Sequence, residues 1–208
     1  MDATAWNRRR YTLWAPIYDL VVRFGRQRRR SIALLDLKPG ERVLIVGAGT
    51  GADLPFLPAG VSVLATDLTP AMLERARPRA RPGVELRVMD GQKLDLPDGG
   101  PDAGFDAVIL HLILAVIPDP VACLREAARV LKPGGRIAVF DKFLADDARP
   151  NLLRRAVNLP ARVLASELNR RMGDILKSAG APLAVERDEP AFLGDVFRIL
   201  LLRKHAIT

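Results

Sequence analysis

The sequence predicts a doubly wound α/β domain, and three observations carry the prediction. Between residues 43 and 142, short apolar runs alternate with stretches of helical pattern. Strands alternating with helices require crossover connections, hence a parallel sheet covered on both faces. The length of 208 residues suits one domain, with 49% hydrophobic and 27% charged residues in an ordinary globular balance. Finally, glycines and acidic residues stand at the ends of the apolar runs, where such sheets bind ligands.

The chain opens with RRRYTLWAPIYDLVVRFGRQRRRS, residues 8–31, in which eight arginines surround Tyr11, Trp14, Tyr18 and Phe24. Pro16 suits a first helical turn. Trp14, Ile17, Tyr18, Val21 and Phe24 then recur at helical spacing and form one apolar face. Residues 1–36 are therefore read as an N-terminal helical extension, the lid of the resemblance described below, and residues 37–208 as the main domain. ERVLIVG, SVLATD, VELRVMD, FDAVILHL and GRIAVFDK each read as a short, fully buried strand. The helical stretches are ADLPFL, PAMLERARPRA and DPVACLREAARVL. The last carries apolar residues at 121, 124, 127, 128 and 131 and stops at Lys132-Pro133-Gly134-Gly135. An arginine-rich helical insert at about 149–179 precedes LAVERDE and VFRILLLRK, a closing pair of strands.

Composition narrows the function classes. The net charge of +8 sits at the two ends. Residues 1–30 hold 8 basic and 2 acidic side chains, residues 31–148 hold 13 and 16, and residues 149–208 hold 11 and 6. A mildly acidic middle argues against a body that tracks a nucleic-acid backbone, and for a catalytic core with basic additions. The single cysteine, Cys123, allows no internal disulfide and disfavours a thiol-based metal cage; a small buried hydrophobe is its expected role. No metal site is expected. No apolar run reaches the length of a membrane span, no signal-peptide pattern opens the chain, and a reducing cytoplasm is the expected compartment.

The chemistry is read at the strand ends. VGAGTGAD follows the first strand, and Gly47, Gly49 and Gly51 permit a tight turn and a close ligand approach. Alone, this loop also passes as a dinucleotide fingerprint. The second strand ends in Thr66-Asp67, whose carboxylate suits the two hydroxyls of a ribose; Thr69-Pro70 is expected to cap the next helix and leave Asp67 free. At Val88-Met89-Asp90-Gly91, Asp90 suits an exocyclic adenine amine while Met89 lines the ring. His111, at the end of the fourth strand, either lines the reaction centre or satisfies its own surroundings.

Together these residues resemble the class I S-adenosylmethionine-dependent methyltransferases. VLIVGAGTGADL, LATDLTPAMLERAR, VMDGQKLDLP, FDAVILHLILAVIPDP and ARVLKPGGRIAVFD match that family's ordered motifs over roughly residues 10–142. The resemblance implies a seven-stranded Rossmann-like sheet of order 3-2-1-4-5-7-6 with the seventh strand antiparallel. It implies S-adenosylmethionine as cofactor and S-adenosylhomocysteine as product, held by Tyr18, Gly47, Ala48, Gly49, Gly51, Asp67, Leu68, Met72, Met89, Asp90, Gly91, His111 and Leu112. WAPIYD and VIPDP resemble, more narrowly, the bacterial phosphatidylethanolamine N-methyltransferases and the quinone C-methyltransferases. The phospholipid enzymes carry Asn-His-Phe where this chain has Asp141-Lys142-Phe143.

The expected activity is N-methylation of a phospholipid amine, with a quinone or a soluble small molecule as the alternative acceptor and nucleic acid disfavoured. An amine acceptor must arrive neutral, and Tyr18, His111 and Asp141 are the catalytic candidates for its proton. Lys142 is expected to point into solvent or toward a lipid phosphate. The resemblance implies that Tyr18-Asp19 folds over the cofactor. The basic ends are expected to meet an anionic membrane surface, a peripheral site on the inner membrane, or only to close the site.

Overall fold

The computed structural model describes residues 24–144, 170–192 and 196–205. Among them β1 (Arg42–Val46), β2 (Ser62–Asp67), β3 (Val84–Val88), β4 (Phe105–His111), β5 (Leu131–Lys142), β6 (Leu183–Phe192) and β7 (Phe197–Lys204) form one sheet. Its order is β3-β2-β1-β4-β5-β7-β6, as the resemblance implies. Strands β1 to β5 pair in parallel, whereas β7 runs antiparallel to both β5 and β6. The order reverses at β1, which lies between β2 and β4, so the ligand crevice belongs at the carboxyl ends of β1 and β4.

The period-two alternation of the central strands feeds two core layers. Leu44, Val46, Val108, Leu110 and Val139 face one way, together with residues of α3 (Pro120–Val130) and α4 (Met172–Ala179). Val43, Ile45, Ala107, Ile109 and Ala138 face the other, toward Ile32 of α1 (Gly25–Ala33). The predicted stripe of α3 holds: Leu124, Ala127, Ala128 and Leu131 are buried. Asp119 caps this helix by accepting the Ala122 N–H at 2.9 Å, and Pro120 opens it. Burial pushes the Cys123 thiol up to about 12, as an inert core residue requires. Lys204, buried at the end of β7, donates to the carbonyls of Ala128 and Leu131 at 2.8 and 2.6 Å and so closes the C-terminus of α3.

Three expectations are corrected. β3 is an edge strand, with Glu85, Arg87 and Val88 exposed, because no strand among the described residues covers its outer side. ADLPFL contributes only a single 3-10 turn, Leu54–Phe56, too short for an α-helix before the chain returns to β2. Lys142 is half-buried, with Nζ 5.8 Å from the Phe197 ring centre; burial lowers its ammonium pKa, and Asp141 offsets part of that. Three of the four arginines of α1 contact the protein itself, although Arg29 and Arg30 stay exposed. Arg28 is buried, Arg29 lies 5.4 Å over the Phe56 ring, and Arg30 pairs with Glu189 and the Pro190 carbonyl. Phe24 anchors the entry to α1, packing on Phe197 and Phe140 at 5.1 and 5.5 Å. Tyr18, Asp19 and the rest of the expected lid's apolar face lie outside the described residues, as do residues 149–169 of the insert.

Candidate cofactor cleft

A cleft of about 810 Å3, counting its solvent-open mouth, lies at the predicted switch point. Gly47, Ala48, Gly49, Asp67, Leu68, Met72, Met89, Asp90, Gly91, His111 and Leu112 all stand on its wall. Gly47 adopts φ +72°, and a Cβ there would sit 2.7 Å from Ile113 Cδ1. Gly91 is equally constrained, since its Cβ would fall 2.6 Å from Val46 Cγ1. Any side chain at either position would therefore collide with the residues packed beside it, so both strand ends meet the cleft as bare backbone. Gly51 is not on the wall; it turns the loop back tightly against Ala76 and Leu54.

Asp67 closes the end of β2. Its Oδ2 accepts the Gly49 N–H and its Oδ1 the Thr69 N–H, both at 2.8 Å. The helix Pro70–Ala76, α2, begins with Thr69 as N-cap but without a side-chain cap bond. Asp67 is thus not left free as expected; it organises the loop with two bonds and keeps further lone pairs for a ligand's hydroxyls. Burial raises the Asp67 carboxyl above the usual range, and the two N–H groups pull it back. Asp90, at the end of β3, holds Gln92 through its backbone N–H at 2.9 Å and its side-chain amide at 3.0 Å. Gln92 in turn accepts the Asp119 N–H at 2.9 Å.

The β4 side is more deeply buried. His111 Nδ1 lies 2.7 Å from Asp53 Oδ1, and its Nε2 lies 2.9 Å from Ser31 Oγ. Arg28 donates from NH1 to the other Asp53 oxygen at 2.7 Å. Burial alone would raise the Asp53 carboxyl, but Arg28 and His111 outweigh it and hold that carboxyl well below the usual range. Leu112 follows with φ +58°, a strained conformation for leucine, fixed by its N–H bond to the Phe140 carbonyl at 2.8 Å. Asp141 is not on the wall. It lies under the loop after β4, accepting the N–H groups of Ala115 and Lys142 at 2.9 and 2.8 Å, and burial pushes its carboxyl up. Arg170 supports the same loop through the carbonyls of Leu114 and Ile117.

Sequence reasoning missed Arg28, Ser31, Asp53 and Gln92, and the apolar wall of Ile113, Val116 and Ile117. For Asp53 a signal existed: it is the one charged residue in GADLPFLP, directly after the glycine loop. Arg28 and Ser31 carry none, because their partners are distant in the chain, whereas Gln92 follows Asp90 by two residues and could have been read with it.

The donor set fits an adenosine sulfonium. The Asp67 and Asp90 carboxylates could accept a ligand's hydroxyls and amine, Met72, Met89 and Ile117 offer apolar surface, and glycine backbone permits close approach. A methyltransferase-domain profile matches residues 44–139. The phosphatidylethanolamine N-methyltransferase of Cereibacter sphaeroides is 38% identical over 147 residues, spanning 66% of this chain and 68% of that protein. The 2-phytyl-1,4-naphtoquinone methyltransferase of Synechococcus elongatus is 41% identical over 141 residues, covering 61% of this chain but 59% of its own length. A solved geranyl diphosphate methyltransferase in complex with S-adenosylmethionine shares the fold, with a TM-score of 0.71, 17% identity and coverage of 88% of this chain and 85% of that one. The chain belongs to the class I S-adenosylmethionine-dependent methyltransferases.

Proposed function

We propose that the protein methylates the amine of a phospholipid head group, phosphatidylethanolamine, at a membrane surface. The observation that carries this reading is the similarity to the Cereibacter sphaeroides phosphatidylethanolamine enzyme, which extends over 68% of that protein. A quinone ring carbon is the second reading, favoured by the 41% identity to the naphtoquinone enzyme.

When bound, S-adenosylmethionine supplies a methyl group already activated for in-line displacement. The chain's task is alignment and exclusion of water. Asp67 would take the ribose hydroxyls and Asp90 the adenine amine, while Met72, Met89 and Ile117 would line the ring. The backbone of Gly47 to Gly49 would hold the methionyl portion, with Leu112 and Ile113 on the same wall. Of the three proton candidates, Asp141 is engaged by two backbone donors and Tyr18 lies outside the described residues. No helix among the described residues is long and apolar enough to cross a membrane. Surface association therefore rests on the basic ends, whose greater part lies outside the described residues.

Mass spectrometry of lipids from cells expressing the protein tests the reading. New mono- or dimethylated phosphatidylethanolamine supports it, and a methylated quinone with unchanged phospholipids replaces it. Co-sedimentation with vesicles containing anionic lipid tests the surface separately: absence of binding at low salt would refute it.

A further inference from the structure

Three elements that wall the cleft meet at one buried carboxylate. α1 brings Arg28 and Ser31, the segment after the glycine loop brings Asp53, and the last residue of β4 brings His111. None of the four is more than 5% exposed. Both Asp53 oxygens are occupied, one by Arg28 and one by His111, each at 2.7 Å.

This arrangement dictates the state of the ring. An ionised carboxylate only accepts, so the nitrogen facing Asp53, Nδ1, must carry a hydrogen. The other nitrogen faces Ser31 Oγ, accepting from the hydroxyl when the ring is neutral and donating to it when charged. Either way, neither nitrogen is directed at a reacting atom in the cleft. What His111 does fix is the chain that follows it. Leu112 turns at φ +58°, and the turn lays Ile113 against Gly47, where its Cδ1 occupies the space a Cβ would need.

We infer that Asp53 is a positioning residue for methyl transfer: it holds His111 as a fixed wall, and through the Leu112 turn sets Ile113 against the glycine loop that faces the cofactor. The network is expensive, because an Arg-Asp pair out of water recovers its desolvation cost only when every partner is in place. Such a pair is a poor way to gain stability alone, and a good way to hold three elements in one geometry. The inference concerns the cofactor cleft and holds whichever acceptor is used.

S-adenosylhomocysteine titration calorimetry on D53N, H111N and the double variant tests it, with ligand-free melting curves alongside. D53N is expected to weaken S-adenosylhomocysteine binding about tenfold, and the double variant to bind no worse than H111N, since one residue acts through the other. Losses that multiply in the double variant, or wild-type binding by D53N, would overturn the inference. A long-range proton–nitrogen NMR spectrum reads the ring directly, and only His111 and His205 contribute. Wild type should show Nδ1–H at His111 and D53N should lose that fixed tautomer; an unchanged ring in D53N counts against the inference. If D53N melts without cooperativity, R28M/D53N removes both buried charges together and should show the same binding loss. Failure of that pair to fold would assign Asp53 to stability alone and end the proposal.

Discussion

On the side of the cleft proposed for adenosine, Asp67 ends β2 and Asp90 follows β3, and both draw their partners from nearby: Thr69 and Gln92 are two residues away, and Gly49 is 18. On the β4 side, His111 depends on Asp53 and Ser31, 58 and 80 residues distant, and Asp53 depends on Arg28, 25 residues back. The first side is built locally at strand ends, with lone pairs left for a ligand. The second is a buried network in which both Asp53 oxygens and both His111 ring nitrogens are engaged. The difference separates ligand recognition from the setting of geometry, and variants on the two sides should fail in different ways.

The largest effect belongs to Asp67. D67A removes two charge-assisted loop bonds and the proposed ribose acceptor, worth about 3 kcal/mol together, so S-adenosylhomocysteine affinity should fall about 100-fold. Calorimetry checks this, and a loss under about threefold would place the ribose elsewhere. G47A comes next. Its φ of +72° costs an L-residue about 1–2 kcal/mol, and the new Cβ meets Ile113. Adding I113A should relieve the contact but not the backbone strain, so affinity should recover only in part.

The two sides also differ in their response to acid. Asp53 has a depressed folded pKa, so its stabilisation is fully present above its unfolded value of about 3.9 and is lost as pH falls below it. Asp67 and Asp141 are raised by burial, so their contribution has the opposite slope and fades as pH rises through their folded values. Chemical denaturation at several pH values should show wild type losing stability below about pH 4 more steeply than D53N, by as much as about 1.4 kcal/mol per pH unit. Equal slopes would mean that Asp53 carries no such linkage.

The same contrast explains what the sequence could reveal. Strand order and the positions of Gly47, Asp67 and Asp90 were legible because the buried runs are contiguous and the ligand-facing residues follow them directly. Asp67 was misjudged only in detail, since a cap at Thr69 is written in residue types whereas its use of Asp67 instead is set by the loop. β3 was misread as buried because its apolar residues, Val84, Leu86 and Val88, look the same whether or not a further strand covers them. Arg28 and Asp53 could not be paired, because nothing local marks which of eight N-terminal arginines turns inward. Asp141 was read as a catalytic candidate and Lys142 as pointing to solvent or a lipid phosphate, but which way each turns depends on the loop of Leu114 and Ala115 and on Phe197.

The smallest effect tests whether the adenosine side is as modular as it looks. Asp119 caps α3 through its side chain, while its own backbone N–H bonds Gln92, which in turn bonds Asp90. D119A deletes the cap but keeps that backbone donor. Loss of an aspartate cap costs about 1 kcal/mol, visible as a lower melting temperature. The chain of bonds from Asp119 N–H to Asp90 survives, so S-adenosylhomocysteine affinity should stay within about twofold of wild type. Q92A should do the reverse, leaving the cap and weakening binding, because it removes the group that fixes Asp90. If D119A also weakens binding, the helix start and the Asp90 site are one unit, and the local character claimed for this side would extend only to Asp67.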